Sequence, residues 1–343
     1  MNNNIFIITN ESIYAEKNDF YCDNIETKSI SEELDKFGNV ILLGRNSPKQ
    51  RSKKIRLGQI NIFNNIFTYL HFLFKSFKNE NTKYFIISLS PFTFLACVLL
   101  KLFSKKHFIY LRSDGYKEYK AILGSLGPFL YGIIFKIGII KANLISCRKH
   151  LLRGNKGDIV NPSQLNDKWF SNLTEVNPSK VKLLYVGRVR IEKGIFSLIS
   201  ILKNSKFSLS IVTSEKNIKL DKNHENVEVI SFENYNDAII KFYDEHSIFI
   251  LPSYTEAHPQ VLDEALARCK PVIVFKEIEH VKRDREGIFI CERSLKSLEE
   301  MINYINNNYE NIIYKIKKNK LPTKKEFIND LIKIIFKKNE KKD

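Results

Sequence analysis

A chain of 343 residues is long enough for two domains, each with its own core. Hydrophobic residues at 43% and charged residues at 27% exclude a disordered or membrane-embedded protein. The net charge of +17 is unevenly spread: from Arg45 to Lys156 there are 21 Lys and Arg against three acids, Glu80, Asp114 and Glu118.

Such a field holds an anionic surface or substrate nearby, although a chain rich in Lys, Asn and Ile throughout also accumulates charge by composition alone. Apolar and basic residues interleave at Phe72–Lys78 and Phe129–Lys141, a pattern suited to peripheral attachment on anionic lipid. The competing partner is nucleic acid, but no nucleic-acid motif accompanies the charge. The expected location is therefore cytoplasmic, peripheral on the inner face of the cytoplasmic membrane. Five scattered cysteines without a CxxC pair point to reduced thiols. The histidines lack metal-ligand spacing and no DxD motif occurs, so neither a metal nor another cofactor is expected.

The opening MNNNIFIITN lacks the layout of a secretory signal and reads as a strand, Asn4–Thr9. The polar, acidic stretch from Thr9 to Asn39 reads as loop plus one helix facing a cleft. Strands follow at Asn39–Leu43, Tyr84–Leu89, Phe108–Leu111, Leu144–Cys147 and Asp158–Val160, with helices at Asn65–Lys78, Phe92–Phe103 and Gly127–Lys141. Tyr84–Leu100 is free of charge, but Ser88, Ser90 and Pro91 divide it into strand and helix rather than a membrane span. Two Asn-Pro pairs between Asn161 and Lys180 mark a linker. A second alternation begins after it, with strands Val181–Val186, Phe207–Val212, Val227–Ile230, Ile248–Leu251, Val272–Phe275 and Ile288–Cys291. Helices are expected to start near Gly194, Tyr235, Pro259 and Leu295, and a lysine-rich helix closes the chain at Lys324–Lys338. The expected fold class is α/β, with two Rossmann-like doubly wound parallel-sheet domains facing a central cleft. The expected domains are 1–165, 166–322 and a basic helix within 323–343 that packs back on the first.

Two motifs carry chemistry. In LLYVGRVRIEKG, Leu183–Gly194, an apolar strand ends in a loop, and Glu192-Lys193-Gly194 opens a helix. Arg188 and Lys193 on such a loop are placed to hold a diphosphate, because strand ends and helix N-termini of open sheets favour anions. They are equally readable as surface cations of a basic protein. In LPSYTEAHPQVLDEALARCKPV, Leu251–Val272, Pro259 suits the first helical position. Val261, Leu262, Ala265, Leu266 and Cys269 form an apolar stripe that leaves Glu264 to one side. Glu256 precedes the helix, so both carboxylates line one cleft or, on spacing alone, a solvated face.

Together, GRxxxEKG and PSxxExxxxxxxEAxAxxxPV resemble the retaining group 1 glycosyltransferases of family 4, which have the GT-B fold; the likeness is good from Val181 to Gly287 and weaker before. It implies that Arg188 and Lys193 clamp the diphosphate of a nucleotide-sugar and that Glu264 hydrogen-bonds the ribose. Glu256, with the backbone of Ala257, His258, Pro259 and Gln260, would hold the transferred sugar. The implied reaction is metal-independent glycosyl transfer to an acceptor hydroxyl with retention, in surface polysaccharide, lipopolysaccharide or capsule biosynthesis on a glycan or lipid-linked acceptor.

The chain departs from that pattern in several places. No His follows the strand in FIYLRSDGYKEY, where Asp114 either takes over a catalytic hydrogen bond or belongs to an Asp-Gly turn. No glycine-rich loop follows the first strand, Thr213-Ser214 replaces glycine near the base, and Cys269 replaces a usual glycine, with an effect expected on packing only. Two alternatives stand beside the transferase. One is a nucleotide-sugar epimerase or hydrolase of the same fold, which the E-x7-E spacing argues against. The other is a non-catalytic nucleotide-sugar-binding subunit of a glycan-assembly complex.

Overall fold

A computed structural model describes residues 4–174, 181–203, 205–215, 218, 226–231 and 238–336. The chain divides into two compact units. One runs to Pro162 and takes in the segment from Lys325 onward; the other spans Ser163–Lys324.

The first unit contains β1 (Asn4–Glu16), β2 (Asp19–Cys22), α1 (Ile25–Asp35), β3 (Asn39–Asn46), β4 (Lys53–Ile55), β5 (Gln59–Phe63) and α2 (Ile66–Ser76). It continues with β6 (Thr82–Ile87), α3 (Pro91–Leu102), β7 (His107–Leu111), α4 (Gly115–Leu123), α5 (Leu126–Gly138), β8 (Asn143–Ser146) and β9 (Asp158–Ile159). The parallel sheet runs β5-β3-β1-β6-β7-β8-β9. Alternation along β1 feeds two cores: Phe6 and Ile8 face Tyr69, Leu73, Ala96 and Leu100 of α2 and α3. Ile5 and Ile7 face Ile30 and Leu34 of α1 on the other side. The second face is completed by the closing helix α11 (Lys324–Phe336), whose Phe327, Ile328, Leu331 and Ile335 are buried there. Strands buried on both faces explain the unbroken apolar runs in the sequence.

The second unit holds β10 (Lys182–Val186), α6 (Ile195–Leu202), β11 (Ser208–Thr213), β12 (Val227–Ser231), α7 (Ala238–Glu245) and β13 (Ile248–Leu251). It continues with α8 (Gln260–Ala267), β14 (Val272–Phe275), β15 (Ile288–Cys291), α9 (Leu295–Asn307) and α10 (Tyr309–Ile316). Its sheet is parallel throughout, ordered β12-β11-β10-β13-β14-β15 around one continuous core. The chain winds outward from β10 in one direction, then returns to β13 and winds in the other. Both units are thus Rossmann-like α/β layers, as the alternation in the sequence predicts.

Several sequence expectations change. The stretch Thr9–Asn39 is not mainly loop. β1 extends to Glu16 and folds back as an antiparallel hairpin with β2, through Lys17 at φ 55°, and β4 adds to it. Polar residues suffice there because only one face of this ribbon, with Ile13, Cys22 and Ile55, meets the core. Pro259 caps α8 rather than opening it, and Gly194 precedes α6 behind a short 3-10 turn at Ile191–Lys193. Tyr235, the linker residues 175–180 and Lys338 lie outside the described residues. Tyr84–Leu100 splits into β6 and α3, and among the described residues no helix is long and apolar enough to cross a membrane.

Cys269 affects more than packing. It follows α8 with φ 56°, in the left-handed region where a Cβ costs about 1–2 kcal/mol. A Cys269→Gly variant removes that strain and loses part of the gain to chain entropy. Its unfolding free energy, read from urea titration, should therefore rise by about 0.5–1 kcal/mol.

Candidate functional site

The winding of the second sheet reverses beside β10, between it and β13, and the crevice outside the carboxyl ends of those strands is where open α/β sheets take ligands. β10 ends at Val186 and leads into Gly187–Gly194; β13 ends at Leu251 and leads into Pro252–Pro259. The two loops are joined closely. Tyr254 N–H donates to the Glu192 carbonyl at 3.0 Å. Gly194 has φ 66°, and a Cβ there would stand 1.9 Å from the Pro252 carbonyl oxygen, so only glycine permits the approach.

That approach brings Lys193 and Glu256 together. The Lys193 ammonium lies 2.6 Å from Glu256 Oε1, which also accepts from Ser253 Oγ at 2.7 Å. His280 Nε2 is 2.9 Å from the Glu256 carbonyl oxygen. Arg188 stands on the same loop, exposed and without an acidic partner among the described residues. Its carbonyl accepts from Tyr185 OH at 2.8 Å. Burial raises the Tyr185 phenol well above its usual range, and the nearby Glu256 carboxylate adds to the rise, so this hydroxyl stays a donor. Across the loop, Glu215 accepts from Val189 N–H at 2.7 Å and from Arg190 Nε at 3.0 Å.

Glu264 is not exposed as a solvated or cleft-lining carboxylate would be. It is 5% exposed, and Tyr243 OH of α7 donates to its Oε2 at 2.7 Å. The apolar stripe of α8 turns the helix so that its flank meets α7, which the sequence period does not reveal. Burial lifts the Glu264 pKa to about 7, with the neighbouring Asp263 charge adding to the rise and the Tyr243 hydrogen bond opposing it. Asp263 is buried against Arg285 Nη1, and the His258 ring lies 3.4 Å from Asp263 and 3.1 Å from Arg283 Nη2. Pro259 is buried as the residue before α8, and Gln260 is half-buried at its first position. Asp114 belongs to the first unit. Its carboxylate accepts from Tyr116 N–H at 3.1 Å, capping α4, and both its oxygens lie 3.1 Å from Arg153 Nη2. Among the described residues no cluster of His, Cys, Asp or Glu is arranged to hold a metal.

Arg293 and Tyr243 escape sequence reasoning. Arg293 follows β15 and donates to the Pro252 carbonyl at 2.9 Å and to Glu277 at 2.7 Å. Its guanidinium also lies 4.1 Å and 4.3 Å from the ring centroids of Tyr254 and Phe275. It clamps the Pro252–Glu256 loop from behind. Forty residues separate Arg293 from that loop, and no local spacing signals the contact.

Residues 169–320, within the second unit, match the family described as Glycosyl transferases group 1. An "Uncharacterized glycosyltransferase" of Haemophilus influenzae is 30% identical over 156 residues, 42% of this chain and 42% of that protein; the match thus spans about two-fifths of the relative's length. Among solved structures, sucrose-phosphate synthase of Thermosynechococcus elongatus superposes with a TM-score of 0.66 at 16% identity, covering 97% of this chain and 96% of that one. The Anabaena protein HepE, solved with UDP and glucose, gives 0.64 at 11% identity over 96% and 98% of the two chains. The UDP-GlcNAc 2-epimerase of Neisseria meningitidis, bound to UDP-GlcNAc, gives 0.58 at 12% identity over 98% and 100%. At these identities the likeness is one of fold, and it is the GT-B fold.

Two measurements test the site. Gly194→Ala should separate the two loops and lower stability by at least about 1–2 kcal/mol through its left-handed φ alone, read by urea unfolding. Because the Glu264 pKa is raised, folding favours its protonated form. That contribution is complete below the ordinary carboxylate range and is lost as pH rises through about 7. In Glu264→Gln the fall in melting temperature across that interval should flatten; a curve parallel to the wild type would refute the assignment.

Proposed function

We propose that the crevice at the ends of β10 and β13 binds a nucleotide-diphosphate sugar and that the protein transfers its glycosyl unit to an acceptor hydroxyl with retention. The observation that carries this reading is the Lys193–Glu256 contact at 2.6 Å, a cation and a carboxylate held at the point where the sheet order reverses. Lys193 has three donors, so it can keep Glu256 and still take a phosphate oxygen. Arg188, exposed on the same loop, supplies the second cation for the diphosphate. Glu256 and the backbone of Ala257–Gln260 then hold the sugar hydroxyls, and Glu264, whose Oε2 is held by Tyr243, offers its other carboxyl oxygen to the ribose. His258 takes part through its backbone, since its ring is occupied by Asp263 and Arg283. Asp114 is assigned its capping role on α4.

In the reaction the bond from the anomeric carbon to the diphosphate oxygen breaks, and its electron pair stays on the diphosphate. The acceptor oxygen bonds to the same face of that carbon, and its proton passes to the leaving diphosphate. Arg188 and Lys193 stabilise the charge that builds there, a role for which fixed cations substitute for a metal. The group 1 domain and the UDP seen in HepE support a nucleotide-sugar donor. Surface glycan synthesis on the cytoplasmic side of the membrane is the setting that the basic first unit favours.

A melting-temperature screen with UDP-, GDP-, ADP-, dTDP- and CMP-linked sugars should single out one nucleotide class, since a donor at about 100 times its Kd stabilises the native state by about 2.7 kcal/mol. With that donor, Lys193→Ala should lose about 10²–10³ in kcat/KM. Turnover by Lys193→Ala equal to wild type, or an epimerised or hydrolysed sugar released without any acceptor, would rule the transferase out.

A further inference from the structure

In the first unit α4 and α5 form a tight hairpin. A Cβ at Gly127 would stand 2.0 Å from the Tyr119 carbonyl oxygen, so glycine sets how closely α5 lies against α4. α5 turns one face inward, where Gly127, Tyr131 and Phe135 are buried and the Tyr131 ring packs 4.9 Å from Tyr116 and 5.1 Å from Tyr119. This face completes the core, so the polar residues of an ordinary surface helix belong on the other side. They are missing. Leu126, Phe129, Leu130, Ile133 and Ile137 recur at helical spacing on that second face, and all are exposed, Leu126 by 68% and Phe129 by 67%. Ile122, 74% exposed at the end of α4, extends the patch. Contiguous apolar surface of this kind marks an interaction site in a soluble protein.

The border of the patch is basic. Lys117 and Lys120 of α4, Lys136 of α5 and Lys141 just beyond it are exposed, against the single acid Glu118 on the same two helices. We propose that the outward face of the α4–α5 hairpin docks on an anionic lipid bilayer, its apolar side chains entering the acyl boundary and its lysines meeting the headgroups. Both halves of the surface are then satisfied, burial for the one and opposite charge for the other. A second copy would satisfy only the first, because pairing two such faces sets lysine borders against each other. The docking stands on this geometry; only its purpose, access to a lipid-borne acceptor, rests on the transferase reading.

The test is co-sedimentation of the full chain with vesicles of phosphatidylcholine alone and of phosphatidylcholine mixed with phosphatidylglycerol. Wild type should partition onto the mixed vesicles. The triple variant Leu126→Ser, Phe129→Ser, Ile133→Ser should lose at least about tenfold in partitioning. Its melting temperature should hold, since none of the three side chains belongs to the core. Lys120→Gln with Lys136→Gln should lose about fivefold per lysine, and on the anionic vesicles alone. Undiminished partitioning of the triple variant overturns the proposal. So does a wild type that ignores vesicles, including one that forms a dimer dissociated by the triple variant. A failed donor screen would leave the vesicle result intact, and absent vesicle binding would leave the donor site intact, so the two readings fail separately.

Discussion

Everything at the candidate site depends on one close approach, the backbone of Gly194 against the Pro252 carbonyl, where a methyl group has no room. Two loops leave the sheet from neighbouring strands, and a side chain at this position would force them apart. With it, Lys193 meets Glu256 at hydrogen-bond distance, and Tyr254 and Arg293 secure the second loop from other directions. The electrostatics follows from the backbone, not the reverse. A flexible lysine finds its carboxylate because the chain has already been drawn together.

Around this contact the second unit buries an unusual density of charge. Glu264, Asp263 and Arg268 are all nearly inaccessible, and each is held by a partner from elsewhere in the chain: Tyr243, Arg285 and Asp244 respectively. Buried ionic groups seldom add stability over well-packed apolar ones, so their value lies in fixing geometry. Here they fix the direction in which α8 leaves its loop. That direction decides where its first turn, and the Glu256–Gln260 backbone ahead of it, will sit.

The first unit follows other priorities. Its sheet is covered on both faces, one by α2, α3 and α5 and the other by α1 with the returning α11, so a segment from the end of the chain closes a core begun at its start. The apolar surplus is on the outside of α5, where folding needs none. An exposed stripe that contributes nothing to the core makes sense only if something else covers it.

How much of this was legible depended on the range of the interactions. Period-two and helical patterns along the chain determined the α/β class, both parallel sheets and most strand positions, because burial on two faces leaves its mark residue by residue. Arg188, Lys193 and Glu256 were visible too, each within a few residues of a strand end that the pattern had located. The hairpin after Thr9 was not, since a ribbon with one face in the core needs little apolar sequence. Nor was the burial of Glu264, set by how α8 rolls against α7, or the clamp of Arg293. Local spacing thus determined what this protein is built from and which loops carry its charges. Only the tertiary structure decided which of those charges meet, because that turns on contacts between residues far apart in the chain, 22 for Asp263 and Arg285 and 63 for Lys193 and Glu256, which no local pattern encodes.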